Sequence, residues 1–130
     1  KDMPHEQLQE FVVIDYRREM VILATMRDRS QHECVIAIGQ YTLTGDMHTA
    51  DVAFAVADEF QNQGVGAELM KYLAYLARGK GILAFTASVL TENLPMLHLF
   101  DKISPDVRRS TQGGIVELHM PLASGTEYGR

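Results

Sequence analysis

One cysteine, no tryptophan and only four prolines occur in 130 residues, and each shortage narrows what the chain can be. A lone Cys34 can form no disulfide within the chain, so a packed core must supply the stability and a reducing, cytoplasmic compartment is expected. Cys34 opens the apolar run Cys34-Val35-Ile36-Ala37-Ile38, where a cysteine is expected to be a small buried hydrophobe rather than a nucleophile. No apolar stretch approaches the roughly 20 residues that span a bilayer, and no secretory leader is visible, so no membrane partner is expected. The net charge of −5 argues against nucleic acid and anionic lipid, and it suits a cationic acceptor such as an amine. Five histidines show no paired ligand spacing, so no metal is expected.

What is present is ordinary globular composition, 46% hydrophobic and 22% charged. It suits a single domain over residues 1–123, followed by a polar, frayed tail at 124–130. No repeat or low-complexity linker divides it. Pro4, with Leu8, Phe11 and Val12 at helical spacing, predicts a short amphipathic helix ending near Asp15. Strands are expected at Glu19 to Arg27, at Glu33 to Leu43 and at His48 to Val56. The polar stretch Asp28 to His32 and the turn Thr44-Gly45-Asp46 join them as an antiparallel meander.

From Gly64 the pattern changes period. Val65, Leu69, Leu73, Leu76 and Ala77 follow helical spacing until Gly79 and Gly81 end the helix. Ile82 to Val89 is an apolar strand without clear alternation, expected to be buried on both faces. A second helix is expected from Asn93 to about Lys102, with Pro95 in its first turn. A closing hairpin is expected from Asp106–Thr111 and Ile115–Leu122 around Gln112-Gly113-Gly114. The order predicts an α+β fold with one mixed sheet, because a helix between the third and fourth of these strands makes a parallel crossover.

The chemistry concentrates in Gln61-Asn62-Gln63-Gly64-Val65-Gly66-Ala67. Glycines let the backbone approach a ligand, and a helix opening here aims its unpaired amides and partial positive charge at the turn, a ready phosphate site. A bare Gly-x-Gly would serve chain geometry alone. A dinucleotide fingerprint would need a small residue where Leu69 stands, and a phosphate loop would need Gly-Lys-Ser/Thr.

What fits is Gln/Arg-x-x-Gly-x-Gly/Ala, met by Gln61, Gly64 and Gly66, directly after a strand and opening a helix. This resembles the cofactor motif of the GNAT superfamily of N-acetyltransferases. Glu92-Asn93-Leu94-Pro95-Met96 through Leu99-Phe100 resembles that family's downstream Asn-x-x-Ala-x-x-Leu-Tyr segment. The likeness covers about Glu19 to Leu122. It implies a GNAT fold, a mixed central sheet flanked by helices, in which the usual opening strand and helix are missing here. Asp15-Tyr16-Arg17-Arg18-Glu19-Met20, Ala50 to Val56 and Glu92 to Met96 look more narrowly like bacterial protein lysine acetyltransferases. There the GNAT domain is often fused to other modules and acts on acyl-CoA synthetases.

The resemblance implies acetyl-CoA as co-substrate and an amine acceptor, a protein lysine such as one on an acyl-CoA synthetase. Backbone groups of Phe54, Ala55 and Val56 would hold the pantetheine arm in a gap between splaying parallel strands. Amides of Asn62, Gln63, Gly64, Val65, Gly66 and Ala67 would cradle the pyrophosphate, with the side chains of Asn62 and Gln63 turned to solvent. Asn93 and Phe100 would complete the cofactor site. Asp51 falls where relatives carry a general base, usually glutamate, and would take the amine's proton through a water. Ser88 occupies the other position used for a base and cannot serve as one. Phe100 stands where many members place a tyrosine acid, and Tyr16, Tyr72 and Tyr75 are elsewhere. Glu59 is expected to be a solvated turn carboxylate and His98 an exposed helix residue. His48 is expected to lie on the face of its strand opposite Asp51. Acetylation of a small amine, or non-catalytic acyl-CoA binding by a regulatory module, are the alternatives. The second draws on Phe100, the short Asp51 and the missing start.

Overall fold

The computed structural model describes residues 10–61 and 64–122. Its seven strands form one sheet in the order β1-β2-β3-β4-β5-β7-β6. β1 (Glu10–Asp15), β2 (Glu19–Arg27), β3 (Glu33–Leu43) and β4 (Thr49–Val56) are an antiparallel run joined by short turns. Helix α1 (Val65–Gly79) then carries the chain to β5 (Ala84–Leu90), which pairs parallel with β4. Helix α2 (Leu94–Ile103) follows, and β6 (Arg108–Gln112) and β7 (Ile115–Pro121) close the sheet, β7 lying against β5. Gly113 and Gly114 have φ of 61° and 83°, the left-handed geometry that lets a two-residue turn join β6 to β7.

The helix expected up to Asp15 is corrected over its second half. Glu10–Asp15 is a strand paired residue for residue with Met20 to Thr25, while 1–9 lie outside the described residues. Val12, Val13 and Ile14 are β-branched and stiff, and a neighbouring apolar strand offers them more burial than a free helix would. Phe11 and Asp15 turn to the helical layer, where the Phe11 ring stacks on Tyr72 at 5.1 Å and Asp15 pairs with Lys80 at 2.6 Å. The tail at 124–130 also lies outside the described residues.

Both helices pack on one face of the sheet. Met20, Ile22, Tyr41, Val52, Phe85 and Leu118 meet Leu69, Met70, Leu73 and Phe100 there in one apolar core. The strands therefore alternate. In β5 Phe85, Ala87 and Val89 are buried while Ser88 and Leu90 are exposed, which corrects the expectation of burial on both faces. The opposite face has no helix on it among the described residues. It runs from Val12, Leu23 and Ile38 to Ala55 on β4, and from Asp51 through Thr86 to His119.

Cys34 is exposed, against expectation. A register shift after Ala24 pairs Thr25 with Val35 and Ala24 with Ala37, leaving Ile36 as an extra residue. Such a bulge reverses which side chains face the core, and Glu33 to Val35 fall outside it. No described helix is long and apolar enough to cross a membrane.

Candidate active site

β4 and β5 stay together for three rungs only, Thr49 with Ala84, Ala50 with Phe85 and Asp51 with Thr86. Beyond Asp51, β4 remains paired with β3 as far as Val56, while β5 follows β7 to Leu90. The strands part, and beyond Asp51 the β5-facing edge of β4 has no strand partner among the described residues. A cavity of about 200 Å³ fills the gap, lined by Val52, Ala53 and Phe54 on one side and Ala87, Ser88 and Val89 on the other. Phe100 and Met96 from α2 also line it. Phe100 is 1% exposed and sets its ring edge-on to Phe54 at 6.3 Å.

The gap shares Phe54, Asn93 and Met96 with a larger groove of about 520 Å³. Phe54, Ala55 and Val56 form one wall of that groove, α2 forms another, and Gln61, Gly64, Gly66 and Ala67 lie at its end. Gly64 is the N-cap of α1 with φ of 88°, a left-handed conformation suited to glycine, and among the described residues no side chain caps the first turn. Gly64, Gly66 and Ala67 at the opening of α1 line the groove, where the first amides of a helix can serve a ligand. Gly66 is needed for a different reason. A Cβ there would lie 3.3 Å from Leu99 Cδ2 and 3.5 Å from Val56 Cγ2, so glycine lets α1 close on α2. Gln61 folds back and donates from Nε2 to the Val56 carbonyl at 3.2 Å, fixing the end of β4. Asn62 and Gln63 lie outside the described residues. Val65 is buried in the core. The Asn93 side-chain oxygen accepts from the Met96 amide at 3.3 Å, so it caps α2 while the residue lines the groove.

Asp51 occupies the last paired rung, exposed on the open face. Thr86 Oγ1 donates to its Oδ1. Two residues along β5, Ser88 Oγ donates at 2.7 Å to Oε1 of Glu117 on β7. Ser88 is no base, yet it holds a carboxylate. Neither Asp51 nor Glu117 has a cationic side chain at ion-pair distance among the described residues. Phe100 has no hydroxyl to give, and Tyr72 and Tyr75 stack on α1 with Phe11, away from the gap. Tyr16 is in the β1–β2 turn, where its amide donates to the Glu19 carbonyl at 2.8 Å. Glu59 is in a single 3-10 turn after β4. His48 precedes β4 rather than sitting in it, so strand alternation does not set its direction relative to Asp51. Its amide is held by Asp46 Oδ1 at 2.9 Å.

Thr86, Glu117, Gly39 and Lys102 stand in or beside these cavities without having been expected there, and His98, expected as an exposed helix residue, lines the groove. A polar Thr86 and Ser88 two apart in an apolar strand were the visible signal for the first two. Gly39 is set where a Cβ would come within 2.8 Å of Phe54 Cε1, so it makes room for a groove residue. Nothing local in the sequence marks that contact.

The parallel strands thus part just beyond Asp51, and the glycine turn that opens α1 lies at the end of the adjoining groove. Residues 2–104 match the acetyltransferase (GNAT) family, and the chain belongs to that family. Among its relatives is acetyltransferase Pat of Mycolicibacterium smegmatis, 39% identical over 70 residues, 53% of this chain and 21% of Pat. The chain thus spans about a fifth of that relative's length. Similar solved structures include the GNAT domain of S. lividans PAT, at 27% identity and a TM-score of 0.66, covering 81% of this chain and 61% of that one. A cAMP-binding acyltransferase from Mycobacterium smegmatis matches at 26% identity and a TM-score of 0.73, over 89% of this chain and 35% of that one.

Proposed function

We propose that this chain transfers the acetyl group of acetyl-CoA to the side-chain amine of a protein lysine. The observation that carries the reading is the place of Asp51, on the final rung before β4 and β5 separate around the gap. The pantetheine arm lies against the β5-facing edge of β4 like an added strand, and the pyrophosphate meets the glycine-led start of α1. Likeness to Pat and to the S. lividans PAT domain supports a protein lysine as acceptor, and an acyl-CoA synthetase is a candidate carrier of it.

A lysine ammonium has a pKa near 10.4, so the attacking amine must lose a proton near neutral pH. Asp51, directly or through one water, accepts that proton. The neutral nitrogen attacks the thioester carbonyl and forms the C–N bond. The nitrogen gives up its second proton to water, collapse of the tetrahedral adduct breaks the C–S bond to leave a neutral amide, and the coenzyme A thiolate takes a proton from solvent, since Phe100 offers none. The same phenylalanine favours a second reading, an acyl-CoA-binding regulatory module without turnover.

Thermal shift and turnover separate the two. Acetyl-CoA at a hundred times its dissociation constant should add roughly 2.7 kcal/mol of stability. Asp51→Asn should leave that shift intact and lower turnover on a lysine peptide by roughly a hundredfold to ten-thousandfold at neutral pH. Glu59→Gln should leave turnover unchanged. An active parent whose Asp51→Asn variant keeps full activity removes Asp51 from the mechanism. A parent that binds acetyl-CoA but acetylates no acceptor is the regulatory module.

A further inference from the structure

The charge of the groove is one-sided. Its described lining holds two ionisable side chains, His98 and Lys102, and no carboxylate. That is against the balance of a chain with 17 acidic residues and 12 lysines and arginines. The two stand four apart on α2, one above the other on the same helix face. Both are exposed, and neither has an ion-pair partner among the described residues.

α2 lies along the groove as a ruler. Asn93, at its cap, lines both the gap and the groove. Leu99 packs beside Gly66 in the first turn of α1, which puts His98 near the phosphate-binding end. Lys102 comes one turn later, about 13 Å along the axis from Asn93 at 1.5 Å per residue. An anion beside this last turn would face the partial negative end of α2, so the position repels phosphate unless a cation offsets it. Lys102 is that cation.

We propose that His98 and Lys102 are a second phosphate clamp that reads the nucleotide end of the acyl donor. His98 faces the pyrophosphate across from the α1 amides, and Lys102 holds the phosphate monoester on the ribose of coenzyme A. The inference rests on the acetyl-CoA reading above and sharpens it. The donor is the free coenzyme A thioester, recognised by a phosphate that a pantetheine arm attached to a carrier protein lacks.

Titration calorimetry with coenzyme A and 3′-dephospho-coenzyme A tests this on the parent, Lys102→Gln, His98→Gln and, as a control on the exposed side of α1, Lys71→Gln. The parent should prefer coenzyme A by roughly twofold to fivefold, the range for an exposed charge pair. The preference should shrink as salt is raised. Lys102→Gln should erase it without changing the affinity for dephospho-coenzyme A, and His98→Gln should weaken both ligands alike. Lys71→Gln should keep it. A Lys102→Gln protein that retains the preference, or a parent that binds both ligands equally, overturns the clamp and leaves the acetyl-CoA reading standing. A parent that binds neither overturns both.

Discussion

Thr86 holds Asp51 by a hydrogen bond across the last rung that β4 and β5 share. The hydroxyl occupies one carboxylate oxygen, and in the proposed reaction the other meets the acceptor amine. Thr86→Val removes the donor at nearly constant shape. Turnover on a lysine peptide should fall between about tenfold and a hundredfold, the scale of a slightly misplaced catalytic group. The fall should be in kcat, with the KM for acetyl-CoA unchanged, and Thr86→Ser should recover most of it. Steady-state kinetics of the three proteins decide the matter. An unchanged kcat in Thr86→Val leaves the hydrogen bond with no part in catalysis.

Gly39 and Phe54 predict a coupled loss of stability and binding. A methyl at position 39 meets Phe54 Cε1 at 2.8 Å and Leu69 Cδ2 at 3.2 Å. Gly39→Ala should therefore cost about 1–3 kcal/mol of overpacking strain. Because Phe54 lines both the gap and the groove, the displaced ring should also reduce the acetyl-CoA thermal shift. A destabilised Gly39→Ala protein with an undiminished shift would mean that Phe54 moves without disturbing the donor.

The two motif glycines should fail differently. Space around Gly64 is open, so Gly64→Ala should cost about 1 kcal/mol of left-handed backbone strain and little else. Gly66→Val should drive α1 away from Leu99 and Val56 and abolish the acetyl-CoA shift. Denaturant melts with and without ligand separate the cases. A folded Gly66→Val protein with the parent's shift would take this turn out of the binding site.

Asp46 gives an acid-dependent turn. Its Oδ1 accepts from the His48 and Thr49 amides at 2.9 and 3.0 Å and from Thr44 Oγ1 at 3.0 Å. The His48 amide foremost, then the Thr44 hydroxyl, hold its carboxyl below the ordinary carboxylate value. A depressed folded-state value means stabilisation that is present above the unfolded value and lost as pH falls through the folded one. Asp46→Ala should therefore match the parent's stability at the acid end and fall below it from about pH 5 upward. Equal gaps between parent and variant at pH 2 and pH 7 would deny the linkage.

Local pattern carried much of this architecture. β2, β3 and α1 follow from apolar periodicity and turn residues, and Asp51, the proposed base, lies on the last rung that β4 and β5 share. The errors share a cause. Glu10–Asp15 has both helical and alternating apolar spacing, and only the presence of β2 decides between them. The run from Cys34 to Ile38 looks buried until the bulge at Ile36 turns its first residues outward. β5 looks doubly buried because the bare face of the sheet is a property of the assembled layers, not of the strand. Thr86 and Glu117 matter through partners 35 and 29 positions away, which no local window reaches.

The three-rung junction also bears on the order in which the molecule assembles. The meander from β1 to β4 closes through near-neighbour hairpins, whose loop-closure entropy is small. Joining Asp51 to Thr86 brings together residues 35 apart, with α1 between them in the chain. This junction should therefore be a late, long-range seam of the fold, since it is held by only three parallel rungs. Amides along that seam should exchange with deuterium before those of β2 and β3, and a bound donor spanning its two banks should slow them most. Ligand and fold then complete each other at the same place.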